Sequence, residues 1–206
     1  MPQEIEAKFP VRSVAPIRQH LLSAGAHLEI DRHLERNWRY DLPNRSLTAA
    51  GKVLRLRQAA RTTLTFKQAS PDPLVRHEWE LEVVPLETAQ ELLEQLGYQV
   101  ILVYEKYRQV YSLGDAHFML DELPFGDFVE VETGSPAGLE QTASRAGLDW
   151  GRRIDGSYLE LFERLQLEYD NQPEQATFEA FRRQPQISGG VLGLADASQS
   201  LPEANQ

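Results

Sequence analysis

The chain has 206 residues, of which 41% are hydrophobic and 25% charged, with a formal net charge of -10. This composition suits one globular domain with a buried core; no apolar run reaches membrane length, no leader pattern opens the chain, and the expected location is the cytoplasm. The lack of cysteine excludes disulfides and thiolate sites, five histidines without ligand-like spacing argue against zinc, and the acidic balance argues against a nucleic-acid surface.

The first expected strand holds Glu4-Ile5-Glu6-Ala7-Lys8. Strand side chains alternate, so Glu4, Glu6 and Lys8 share one face while Ile5, Ala7 and Phe9 share the other. Two carboxylates one pleat apart can hold a hard divalent cation, and the lysine beside them can hold an anion that the cation also binds. Alone, such a strand is more commonly a plain solvated face. A helix is predicted over 14–24, with Val14, Ile17, Leu21 and Leu22 on one side, Ser13 as its cap, Pro16 in its first turn and Gly25 past its end.

Strands are expected next around 28–41, then over 53–58, 64–67 and 77–83. Leu54 and Leu56 alternate with Arg55 and Arg57, Leu64 and Phe66 with Thr65 and Lys67, and Trp79 and Leu81 with Glu78, Glu80 and Glu82. A second helix over 86–96 ends before Gly97. Strands follow around 99–112, 115–122 and 127–132, the last setting Val129 and Val131 against Glu130 and Glu132. A third helix over 136–146 ends before Gly147, and Ser157 to Leu165 reads as a last helix docking on the domain. Glu-x-Glu precedes each of the three glycine-terminated helices, which hints at pseudo-symmetry. The domain is expected over 1–168. Beyond it, 169–206 turns to Gln, Pro, Ala, Ser and Gly, which predicts a mobile tail with a brief helical turn near Phe178 and Phe181.

About eight strands joined mostly as neighbours predict an antiparallel sheet large enough to curl or close. Its polar face collects acids and bases on separate strands, where an ordinary wet face would mix Thr, Ser, Gln and Lys. Two readings stand: a wet sheet face with weak cross-strand pairs, or the inside of a wet tunnel whose charges offset one another until a ligand enters. A triphosphate bridged by Mg²⁺ or Mn²⁺ suits the tunnel, since guanidinium and ammonium groups bind phosphate oxygens and carboxylates bind the metal.

Glu4-x-Glu6-x-Lys8, Leu54-Arg55-Leu56-Arg57, Thr65-Phe66-Lys67, Arg76-x-Glu78-x-Glu80, Glu105-Lys106-Tyr107-Arg108, and Asp121 followed by Phe125 to Glu132 together resemble the CYTH family of triphosphate tunnel metalloenzymes. The resemblance spans about residues 3–165. It implies an α+β fold, an eight-stranded antiparallel β-barrel forming a triphosphate tunnel with helices packed outside. It implies divalent metal, Mg²⁺ or Mn²⁺, near Glu4, Glu6, Asp121, Glu130 and Glu132, with Glu80 or Glu82 added. Lys8, Arg55, Arg57, Lys67, Arg76 and Arg108 would bind the triphosphate, and Glu4, Glu6, Lys8 and Lys106 would serve the reacting phosphoryl group. Arg39 departs from the family pattern, which commonly has an acid and then an aromatic near Asn37 and Arg39. Trp79 has the wrong parity to face the tunnel and reads as outer core.

The expected function is hydrolysis of a triphosphate, whether inorganic, thiamine or nucleoside. The runner-up is a class IV adenylyl cyclase making cyclic AMP and pyrophosphate from ATP, for which no adenine pocket is identifiable; a non-catalytic polyphosphate- or nucleotide-binding module is the third. The expected partner is a triphosphate-containing small molecule, without nucleic acid or membrane, and a homodimer is left open.

Overall fold

The same alternation that separates charged from apolar residues along each strand positions the whole architecture. A computed structural model describes residues 3–169 and 173–198. Eight strands, β1 (Gln3–Val11), β2 (His27–Asp41), β3 (Lys52–Gln58), β4 (Thr62–Ala69), β5 (Val75–Glu82), β6 (Gln99–Leu113), β7 (Ala116–Leu123) and β8 (Gly126–Glu132), form one antiparallel sheet. The sheet closes into a ring in the order β1-β5-β4-β3-β2-β6-β7-β8. β1 performs the closure: Gln3 to Ile5 pair with β5, and Glu6 to Val11 pair with β8.

Among the described residues six α-helices lie outside the ring: α1 (Val14–Ser23), α2 (Ser46–Ala49), α3 (Leu86–Gln95), α4 (Pro136–Arg145), α5 (Tyr158–Leu167) and α6 (Phe178–Arg182). Ile17 and Leu21 of α1 and Leu139 and Ala143 of α4 pack on outward Phe9, Leu120, Val129 and Val131. Leu93 of α3 packs on Tyr40, Leu54 and Leu56. The apolar sides of β1, β3, β7 and β8 therefore face helices, while Leu28 and Leu34 of β2 and Trp79 of β5 stay exposed, and the charged side faces inward.

The three glycine-terminated helices share one ending. Ala26, Tyr98 and Leu148 donate their N–H groups to Leu21, Leu93 and Ala143, while Gly25, Gly97 and Gly147 donate to Leu22, Glu94 and Ser144. Each glycine sits at positive φ, 87°, 90° and 77°, which a side chain would oppose. The repeat of strand, helix and glycine seen in the sequence is thus a repeat of local structure.

Residues 173–198 pack where composition predicted a mobile tail. Ala176 adds a bridge beside Tyr104, its N–H donating to Val103 O at 2.9 Å and its carbonyl accepting from Glu105 N at 3.0 Å. Phe181, Ile187 and Leu192 join α5 in a core cluster. Ala197 is fully buried and its N–H bonds Pro10 O at 2.8 Å. The few apolar residues suffice because each fills a site on an existing surface, and exposed strand edges supply the backbone partners. α6 provides the expected turn near Phe178 and Phe181. The remaining parts of the expected tail, 170–172 and 199–206, lie outside the described residues. Among the described residues, no helix is long and apolar enough to cross a membrane.

Candidate functional site

Closure of the ring turns the charged face into the wall of a cavity of about 920 Å³. Glu4, Glu6, Lys8, Arg55, Arg57, Lys67, Arg76, Glu80, Glu82, Lys106, Arg108, Glu130 and Glu132 line it. Among the residues expected at the site, Asp121 alone is not on that lining; it is fully buried within the wall. The tunnel reading of the charged face accordingly prevails over the wet-face reading. Trp79 stays outside, its ring 5.9 Å from that of Phe66.

Asp121 organises the deepest charges. It accepts from Arg108 Nε at 2.6 Å, Arg108 Nη2 at 2.5 Å, Lys106 Nζ at 2.9 Å and the Tyr158 hydroxyl at 2.8 Å. Arg108 also donates to Glu130, which meets Lys8 Nζ at 2.8 Å. Burial opposes charge on Arg108 and Glu130, yet Asp121 and Glu130 hold Arg108 well above its ordinary pKa, while Lys8 and Arg108 hold Glu130 well below. Burial, then Asp121 and Glu130, push the Tyr158 phenol well up, so it remains a protonated donor. Tyr158 is the first residue of α5, placed there by a capping box in which Ser157 Oγ accepts from Glu160 N and Glu160 accepts from Ser157 N. Its ring lies 4.4 Å from Lys8 Nζ and 5.3 Å from Lys106 Nζ, within cation–π range.

A second group centres on Glu35, which is 3% exposed. His33 Nε2 lies 3.4 Å, Arg57 Nη1 3.6 Å and Lys106 Nζ 3.7 Å from its carboxylate. Burial would raise the Glu35 pKa, but Lys106, Arg108, His33 and Arg57 bring it well below the ordinary value. Glu80 accepts from Arg57 Nη2 at 3.1 Å and Thr65 Oγ1 at 2.8 Å. Glu82 is at the rim, half exposed and 3.4 Å from Arg61.

In a third group Lys67 pairs with Glu4 and approaches Glu78 at 3.5 Å. Burial raises the Glu132 pKa, and repulsion from Glu4 and Glu6 adds to the rise. Among the described residues, no three acidic or imidazole side chains are gathered closely enough to hold a metal ion. The seven carboxylates expected around metal do not form one cluster, because Asp121, Glu80, Glu82 and Glu130 are each held by a neighbouring base. Glu4, Glu6 and Glu132 offer only oxygen donors and the first two repel the third, which suits a hard cation, but Glu4 is paired with Lys67, so a divalent ion would have to displace that lysine and draw the three carboxylates together.

The sequence reading passed over His33, Glu35, Tyr104 and Tyr158, all of which line the cavity. For β2 the signal existed, since His33, Glu35, Asn37 and Arg39 share one parity. Tyr158 had none, because it enters the tunnel from a helix and not from a strand. His33 also makes a pH-dependent contribution testable by itself. Its pKa is raised, first by the bond to Glu35 and then, against burial, by the Asp31 carbonyl. A raised folded value stabilises fully below the unfolded pKa and is lost as pH rises through the folded one. His33→Gln should therefore lower the urea midpoint at about pH 5.5 and leave it unchanged at about pH 9. An equal loss at both would show that His33 acts through packing alone.

Comparison with known proteins agrees with the geometry. The model of the CYTH domain matches residues 2–145. This chain belongs to the CYTH family. Adenylate cyclase CyaB of Aeromonas hydrophila is 26% identical over 170 residues, covering 78% of this chain and 88% of the relative. A proposed adenylate cyclase from Vibrio parahaemolyticus has a TM-score of 0.69 at 27% identity, over 76% of this CYTH chain and 95% of that one. The PH1012 protein of Pyrococcus horikoshii has a TM-score of 0.67 at 28% identity, over 76% and 98%.

Proposed function

We propose that this CYTH protein is a divalent-cation-dependent hydrolase of a triphosphate, with Mg²⁺ or Mn²⁺ as the cation. The observation that carries the reading is the convergence of Lys8, Arg55, Arg57, Lys67, Arg76, Lys106 and Arg108 on one cavity that also holds Glu4, Glu6 and Glu132. A chain of linked phosphates can engage several such cations at once, whereas a single anion cannot.

Arg55, Arg57, Lys67 and Arg76 bind non-bridging phosphate oxygens. Lys8, Lys106 and Arg108, anchored by Glu130 and Asp121, offset charge that grows on the attacked phosphoryl group, and because they are already fixed they need no reorganisation. Glu4, Glu6 and Glu132 would hold the cation, which when bound supplies further neutralisation of phosphate charge. Water forms a bond to phosphorus, the anhydride bond breaks with its electron pair staying on the bridging oxygen of the departing phosphate chain, and the water's proton passes to that phosphate chain or to solvent.

The cyclase remains the second reading, favoured by the name of the Aeromonas relative. It would use the ribose hydroxyl as nucleophile and needs a site for adenine. Of the tyrosines on the lining, Tyr158 has its ring engaged by Lys8 and Lys106, while Tyr104 is held through its hydroxyl by Arg55 and has its ring 6.3 Å from that of Tyr158. Purified protein should be given inorganic triphosphate, thiamine triphosphate and ATP with Mg²⁺ or Mn²⁺, and phosphate, pyrophosphate and cyclic AMP resolved. Phosphate release is expected. Cyclic AMP as the main product would establish the cyclase, and binding without turnover would establish the module.

A further inference from the structure

Arg39 is a buried base of the cavity that pairs with no carboxylate and leaves its Nε without an acceptor among the described residues. Its side chain lines the cavity at 6% exposure, and its buried Nε has no hydrogen-bond partner among the described residues. No carboxylate forms an ion pair with it there, in contrast to Lys8, Arg55, Arg57, Lys67, Lys106 and Arg108. The ionisable groups around it are Tyr104, Arg55, Arg76 and Asp41. Asp41 is already spent: its carboxylate accepts from Leu42 N, Leu47 N, Thr48 N and the Thr48 hydroxyl, capping α2. Arg55 is the cross-strand partner of Arg39 and likewise has an unbonded buried Nε. One pleat away, Asn37 is fully buried with neither amide atom bonded.

Such an arrangement is costly in the free protein. A buried guanidinium loses hydration, and two further arginines beside it add repulsion. Burial, with Arg55 and Arg76, lowers the Arg39 pKa accordingly. A guanidinium held at this cost in the wall of a cavity is suited to an anion that arrives from solvent and brings its own acceptors.

We propose that Arg39 is a further substrate-binding residue, which with Arg55 and Arg76 forms a three-arginine pocket for one phosphate group of the triphosphate. The assignment rests on the triphosphate reading of the cavity. The pocket lies toward the Asp41 end of β2, away from the turn at 59–61, and beside Tyr104, whose ring is 6.3 Å from that of Tyr158. The planar guanidinium forks present paired N–H groups to phosphate oxygens, and the ligand's negative charge relieves the repulsion among them.

Two effects of opposite sign follow from replacing Arg39 by methionine. Affinity for inorganic triphosphate, measured calorimetrically in EDTA, should fall by about 10- to 100-fold. Without ligand, the variant should melt at or above the temperature of the parent, because an uncompensated charge has gone. A residue of merely structural role would instead lower the melting temperature and spare the affinity. Arg39→Gln, closer in shape, carries the same test if Arg39→Met does not fold. If the parent binds triphosphate and the variant binds it within about twofold, Arg39 has no such role while the triphosphate reading stands. If the parent neither binds nor hydrolyses triphosphate, that reading itself fails, and the pocket with it.

Discussion

Replacing Asp121 by asparagine is expected to destabilise the protein by roughly 3–5 kcal/mol, the cost of removing one partner from a buried charge group. Asp121 is fully buried and receives Arg108, Lys106 and the Tyr158 hydroxyl together. Asparagine keeps the shape but not the charge, and its amide NH₂ would face donors. Lys106, 2% exposed, would then keep Glu35 at 3.7 Å as its ion-pair partner among the described residues. For a domain of this size the loss corresponds to a fall of roughly 6–20 °C in melting temperature. Chemical denaturation of Asp121→Asn, Arg108→Met and the double variant checks it: the double variant should lose less than the sum, since removing both charges leaves fewer of them unpaired. A loss below about 1 kcal/mol in Asp121→Asn would show that the site admits enough water to make the pairing unnecessary.

Arg57→Ala should behave in the opposite manner, with a large loss of activity and a small loss of stability. Arg57 is on the cavity surface, with Glu80 and Glu35 as its partners. Glu80 has 36% of its side chain exposed, so water replaces the lost partner, and Glu35 keeps Lys106 and His33. The stability change should therefore stay within about 1 kcal/mol. If Arg57 binds phosphate oxygens in the transition state, kcat/KM for the triphosphate that proves to be the substrate should fall by about 100- to 1000-fold. Arg57→Lys should recover part of this, because an ammonium keeps the charge but not the paired donors. Loss of stability matching the loss of turnover would assign Arg57 to the fold instead of the reaction.

These two residues show why the site was only partly legible in sequence. Arg57 and Asp121 both belong to charged strand faces and both were expected at the site, yet one is on the cavity surface and the other is sealed behind it. Depth along the tunnel depends on strand register around the ring, which no local pattern encodes. Glu35 and Arg39 were readable in principle from the parity of β2, but a fifteen-residue strand with register shifts gives a poorer alternation than the short strands β3 and β8. The packing of residues 173–198 escaped for another reason: Ala176 and Ala197 are small residues whose burial depends on the partners they meet, and composition does not reveal those.

By itself the sequence determined an antiparallel sheet with helices on one side, the places of the eight strands and of the four longer helices, and the segregation of acids and bases from apolar residues, because each follows from the two- or 3.6-residue period of the backbone. The tertiary structure alone decided that the charged side is the inside. That required β1 to pair with β5 at its start and β8 along the rest, contacts between segments far apart in the chain. Closure also decided which charges neutralise one another, setting Asp121 between Lys106, Arg108 and Tyr158 and leaving the buried Nε of Arg39 without an acceptor among the described residues. Charge balance in a low-dielectric interior is a property of distances between strands, and the order of residues along one strand does not contain it.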